Sequence, residues 1–146
     1  MDGARGGGDV RGHMSPAAAV SSDELRLYTQ GKQSEEPPLM LTRTSKAASF
    51  AGAAPLPGIT EYVRSPDMSA DELTLVGTVR DPAGRWVIGR LVRSRPSEAF
   101  SEPQIVVQGA VPEVGLGAPN LAPGCALYYV LHHPVVGYAA YRTRLQ

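Results

Sequence analysis

The sequence predicts a mainly β protein: a small antiparallel β-sandwich or partly open barrel preceded by an extended N-terminal arm. Three observations predict it. Gly (16) and Pro (13) supply about a fifth of the 146 residues, well above average usage, so chain breaks are frequent and long helices disfavoured. Two β-branched runs flank a turn within residues 72–93. Large apolar side chains number 12 among residues 1–57 and 32 among residues 58–146. Only the second stretch can bury enough surface to offset its own ordering entropy.

The elements follow in chain order. Residues 1–57 are the arm. Its first twelve residues are Gly-rich and flexible in isolation. Ser21-x-x-Glu24 has the form of a capping box, Asp23 suits a first helical turn and Gly31 a stop, so a short helix is predicted over 22–30 with Leu25, Leu27 and Tyr28 on its apolar side. Pro37-Pro38 breaks the chain, Leu39-Met40-Leu41 suits one added strand, and 47–58, made of small residues and prolines, reads as linker. The arm holds six acidic and six basic residues. An arm that wraps nucleic acid is strongly basic, so the neutral charge counts against nucleic acid but not against a protein-binding arm.

Residues 58–146 are the β domain. The clearest element is a hairpin: strand 72–80, the turn Asp81-Pro82-Ala83-Gly84, strand 85–93. Pro82 pre-sets the first turn position, Gly84 tolerates a left-handed one, and Asp81 can bond the turn backbone. Leu73, Leu75 and Val79 share one face by period two. The second strand is apolar on both sides, with Trp86, Ile88 and Val92 opposite Val87 and Leu91. Such a strand is covered on both sides, by a second sheet or by a partner. Further strands are predicted at 59–64, 104–111, 126–132 and 135–145, punctuated by Pro103, Pro112, Pro119, Pro123 and Pro134. Ser69-x-x-Glu72 also has the capping-box form, but the β-branched run after it favours strand.

The stretch Gly77-Thr-Val-Arg-Asp-Pro-Ala-Gly84-Arg-Trp-Val87-Ile-Gly89-Arg-Leu-Val92 resembles the opening of carboxypeptidase-regulatory-like domains, the prealbumin-like β-sandwiches. Leu121-Ala-Pro-Gly124, followed by a strand and then Gly137-Tyr138, looks like that family's other recurring piece. Trp86 and Arg90 depart from its pattern. The resemblance implies a sandwich and an accessory or ligand-binding role without catalytic residues.

Candidate chemistry is sparse. His132 and His133 are adjacent and would point to opposite faces of a strand, and with His13 and the single Cys125 they match no zinc spacing. No serine sits in a nucleophile elbow, Cys125 reads as a buried, inert thiol, and Gly115-Leu-Gly117 lacks the rest of a dinucleotide fingerprint. No cofactor is expected. Arg80, Arg85, Arg90, Arg93 and Arg95 form the densest charge cluster; their mixed parities and nearby acids favour ion pairs within the fold or across a subunit contact. Tyr128, Tyr129, Tyr138 and Tyr141 gather rings near the C-terminus, where tyrosines suit either a wet core edge or an interface. The candidate interface residues are therefore Leu25, Leu27, Leu39, Met40, Leu41 and Phe50 of the arm, with Arg90, Arg93, Tyr128, Tyr129 and Tyr141.

These features lead to the expectation of a non-enzymatic structural or interaction subunit of a larger assembly. A virus or phage particle component (capsid, tail or decoration subunit) is the architectural analogy. Its partners are copies of itself or other protein subunits, not nucleic acid or membrane. The alternative is a prealbumin-like accessory module binding sugar or peptide. The longest apolar run, Cys125 to Leu131, is too short to span a bilayer, and no secretory signal opens the chain. The expected location is cytoplasmic or within a particle.

Overall fold

The computed structural model describes residues 18–31, 35–107, 119–133 and 137–146. Among these there are strands but no helix. The first sheet contains β1 (Ala18–Val20), β2 (Arg26–Thr29), β3 (Leu39–Thr42) and β4 (Ala51–Pro55) in that order. The second contains β5 (Arg64–Met68), β6 (Thr74–Arg80), β7 (Trp86–Val92) and β8 (Gln104–Val107). The third contains β9 (Asn120–Ala122), β10 (Ala126–His133) and β11 (Gly137–Arg144). All pairings are antiparallel and join sequence neighbours. The all-β expectation holds, and no sheet closes into a barrel.

The helix expected at 22–30 is not there: β2 takes its place. Ser21 and Asp23 build a hairpin turn rather than a helix start. The Asp23 carboxylate accepts the Leu25 N–H at 3.0 Å, the Ser21 hydroxyl accepts the Arg26 N–H at 2.9 Å, and Glu24 takes a left-handed φ of 61°. So short a helix gains little from its own hydrogen bonds, whereas as a strand Leu27 and Tyr28 pair with Leu41 and Met40. Residues 51–55, expected as linker, pair with β3 as β4. The strand expected at 59–64 instead begins at Arg64. Residues 18–31 and 35–55 thus carry a sheet, and its β1 and β2 pack beside β5. The Gly-rich opening, His13 and Gly115-Leu-Gly117 lie outside the described residues.

The second sheet is covered on both faces. Leu75, Val79, Val87 and Leu91 enter a core completed by Ala19, Tyr28, Met40 and Leu56 from the first sheet and its exit. Val76 and Ile88 enter a second core with Leu127, Leu121, Tyr129 and Leu131 of the third sheet. Alternation along β6 and β7 sends neighbouring residues to opposite cores, which is why β7 is apolar on both sides. At the centre Gly77 pairs with Gly89. A Cβ on Gly77 would lie 2.2 Å from Val63 Cγ1, and one on Gly89 would lie 2.6 Å from Val79 Cγ2, so glycine lets these valines close over the sheet. Polar ties reinforce both junctions. The Arg26 guanidinium donates to both Glu72 oxygens at 3.0 Å, the Leu121 N–H donates to Asp67 at 2.6 Å, and the Arg90 guanidinium donates to the Gln146 carbonyl.

The three sheets are variants of one unit. The turn built by Ser21, Asp23 and Glu24 recurs bond for bond at Ser69, Asp71 and Glu72: Leu73 N–H to Asp71 at 3.0 Å, Thr74 N–H to the Ser69 hydroxyl at 2.9 Å, and a Glu72 φ of 62°. After β3 and β7 the chain is pinned alike. Arg43 Nε donates to the Glu24 carbonyl at 2.7 Å and lies 4.5 Å from the Phe50 ring. Arg93 Nε donates to the Glu72 carbonyl at 2.8 Å and lies 4.4 Å from the Phe100 ring. The third unit shares the hairpin register: Arg43, Arg93 and Leu145 donate their N–H to the carbonyls of Leu25, Leu73 and Cys125. Leu27, Leu75 and Leu127 are therefore equivalent, as are Tyr28, Val76 and Tyr128.

Candidate functional site

Two surfaces are candidates: the outward faces of the end sheets, and a cleft beside Trp86. The outward face of the first sheet follows from register. Tyr28 and Met40 point into the core, so Leu27, Leu39 and Leu41 stand on the other side, with Val20 paired to Leu27 and 50% exposed. On the third sheet Leu127 and Tyr129 point inward. Tyr128 (43% exposed) and Tyr138 (54% exposed) stand outward. Arg142, paired with Tyr128, holds its guanidinium 5.7 Å from the Tyr128 ring.

The sequence-selected interface residues therefore separate. Leu27, Leu39, Leu41 and Tyr128 share the outward faces. Leu25 lies half-buried before β2, and Phe50 lies half-buried under Arg43. Met40 packs in the protein's own core. Arg93 is buried against Glu72 and Phe100. Arg90 serves the junction with the third sheet. Tyr129 stacks on Tyr141 at 5.6 Å, with Tyr141 still 40% exposed. Val20 and Tyr138 were left out of the interface set; the cross-strand register, Val20 with Leu27 and Tyr138 with His132, is what places them on these faces. Within the arginine cluster, Arg85 pairs with Asp81 at 2.7 Å and Arg95 with Glu98 at 3.9 Å. Arg80, Arg90 and Arg93 bond carbonyls, and Arg80 and Arg93 also stack on rings.

The cleft has a volume of about 820 Å³ and is lined by Glu35, Glu61, Tyr62, Arg64, Arg80 and Trp86 among others. Tyr62 meets Trp86 edge-to-face at 6.2 Å, and the Arg80 and Arg64 guanidiniums lie 4.4 and 5.3 Å from the indole. Cation–π contacts of this kind hold the ring in place.

The shifted ionisable groups are structural. The Ser21 hydroxyl and Leu25 N–H hold Asp23 below the ordinary carboxylate range, and Ser69 and Leu73 do the same for Asp71. The Arg85 backbone N–H and guanidinium lower Asp81. Burial raises Asp67 against the bonds from Leu121 and Met68. Burial, then the neighbouring Glu72, raises the Tyr28 phenol. Cys125, expected to be buried, is exposed at the tip of the β9–β10 turn with φ 60°; the tight Pro123-Gly124-Cys125 connection leaves it no neighbour to pack under. Among the described residues no cluster of three or more His, Cys, Asp or Glu could hold a metal ion, and no helix is long and apolar enough to cross a membrane.

A scan against protein-family models and searches of curated proteins and of solved structures return no match. The prealbumin-like likeness thus rests on the residues that carry it, in the β6–β7 hairpin and around the β9–β10 turn.

Proposed function

We propose that the protein is a non-enzymatic interaction subunit of a larger assembly. One observation carries this reading: among the described residues, the same unit is covered on both faces in the middle of the stack and on one face in each outer sheet. The uncovered faces carry Val20, Leu27 and Leu41 at one end and Tyr128 and Tyr138 at the other. Apolar and aromatic side chains on an outward sheet face are the kind that protein contacts use. A virus or phage particle subunit is a narrower form of the same proposal.

The test is the native size of the protein in an extract of its source, followed by an antibody through size-exclusion chromatography. Elution well above the 15.4 kDa of one chain is expected. Elution as a single chain would overturn the assembly reading.

The Trp86 cleft supports a second reading, an accessory module that holds a sugar or peptide. Trp86 is the only tryptophan, so its fluorescence reports the cleft directly. Saturable quenching by oligosaccharide or peptide pools, lost in Tyr62→Ala, would favour it. An unchanged spectrum would dispose of it.

A further inference from the structure

We infer that the two outward faces are the two halves of one interface: the third sheet of one copy docks on the first sheet of a second copy, head to tail. This deepens the assembly reading and rests on it.

The inference comes from the equivalence of the three units. In every unit two adjacent cross-strand rows point to opposite sides, and in the second sheet one row meets the sheet before it and the other meets the sheet after it. In the second sheet the backward row is Met68, Leu75 and Leu91, with exposures of 9, 0 and 1% against the first sheet. The same row in the first sheet is Val20, Leu27 and Leu41, with nothing before it among the described residues. The forward rows run in parallel. Ala19, Tyr28 and Met40 of the first sheet cover the second. Asp67, Val76 and Arg90 of the second meet the third, Asp67 and Arg90 by hydrogen bonds and Val76 in the core. Asn120, Tyr128 and Arg142 of the third have no sheet after them among the described residues.

Among the described residues, one forward face and one backward face are therefore left with no sheet against them. The two internal junctions show what each kind of face accepts, namely the other kind. A second copy supplies the missing match at both ends: its Val20–Leu27–Leu41 row for Tyr128, and its Tyr128 row for Leu27. Pairing like with like would oppose two forward faces, each carrying Arg142, or two backward faces, each carrying Leu27, and neither match occurs at the internal junctions. Forward on backward is a heterologous contact, which forms a ring where the rotation closes. Two copies place six sheets in the ring, four of them four-stranded and two three-stranded, and closed radial arrays of sheets hold about four to eight.

The experiment is sedimentation equilibrium of the full chain over a micromolar range, with two single variants, Leu27→Lys and Tyr128→Glu. The wild-type chain is expected at twice 15.4 kDa. Each variant alone is expected to bind itself at least about tenfold more weakly, as loss of a central interface anchor does. An equimolar mixture of the two is expected to recover the paired mass, because the mixed pair retains one wild-type seam and sets Lys against Glu in the other. Far-ultraviolet circular dichroism checks that each variant is folded. Should Leu27→Lys unfold, Val20→Lys on the same face replaces it, and Tyr138→Glu likewise replaces Tyr128→Glu.

A wild-type chain that stays single throughout the range overturns the head-to-tail inference. The native-extract measurement then judges the assembly reading separately. A paired wild type unaffected by either face, or a mixture that fails to recover, also overturns it, because the contact is then elsewhere or like-on-like.

Discussion

The first and second sheets are built on one motif but live in different surroundings. Both open with a Ser-x-Asp-Glu-Leu turn, both have leucine at the second and third strands of the backward row, and both close on an arginine–phenylalanine clamp. Yet Leu75 and Leu91 are sealed from solvent, while Leu27 and Leu41 are half-buried beside a Val20 that is 50% exposed. A strand's sequence sets which side chains share a face. The neighbouring sheet sets whether that face is an interior.

Truncating equivalent residues separates the two sheets most directly. Tyr28→Ala removes the largest fully buried side chain, which the first sheet contributes to the shared core, and is expected to cost about 3–5 kcal/mol in urea unfolding. A cost below about 1 kcal/mol would show that the first sheet docks loosely on a body that folds without it. The sharper form sets Leu75→Ala against Leu27→Ala. The former is expected to cost about 2–5 kcal/mol, and the latter, measured in dilute solution, under about 1 kcal/mol. Equal costs would mean that the outward face of the first sheet is already covered.

Next in size is Gly77→Ala, whose Cβ would collide with Val63 and is expected to cost about 1–3 kcal/mol by overpacking. It should leave the Ser69 and Asp81 turns formed, which hydrogen exchange of the Thr74 and Arg85 amides checks.

The smallest effect concerns pH. Asp23, Asp71 and Asp81 lie below their ordinary values when folded, so their stabilisation is present above the ordinary carboxylate range and lost as pH falls through their folded values. Asp67 is raised, so its effect has the opposite sign: it favours the fold when protonated, and that advantage is lost as pH rises through its folded value. Asp67→Asn is therefore expected to raise Tm at neutral pH and to lose that gain in acid. Asp71→Asn is expected to lower Tm at neutral pH and to flatten the acid side of the profile. Scanning calorimetry across acid and neutral pH reads both.

Much of the fold was legible. The β6–β7 hairpin lies within two residues of its expected bounds, because its turn chemistry and period-two pattern are local. The two-sided apolar character of β7 announced a second cover, and the third sheet provides it. The first sheet was harder to see. Its opening turn shares the Ser-x-x-Glu spacing of a helix cap, and β4, Ala51–Pro55, has no large side chain to mark it as a strand. The recurrence of Ser-x-Asp-Glu-Leu at 21–25 and 69–73, and of Arg and Phe at 43 and 50 and again at 93 and 100, was the available signal. A repeat implies stacked units that each cover their neighbour. Of the candidate site, the outward leucines and Tyr128 could be chosen from composition, but Met40 and Arg93 could not be set aside, since nothing local distinguishes a core anchor from an exposed one.

Turns, strands and the side-chain set on each strand face could be read from residue order, because backbone sterics, turn hydrogen bonds and alternation act over a few neighbours. Which faces are interior could not. Leu27 and Leu75 occupy the same place in the same motif, and they differ because burial is a property of what lies across a ten-ångström gap between sheets, supplied by residues some fifty positions away.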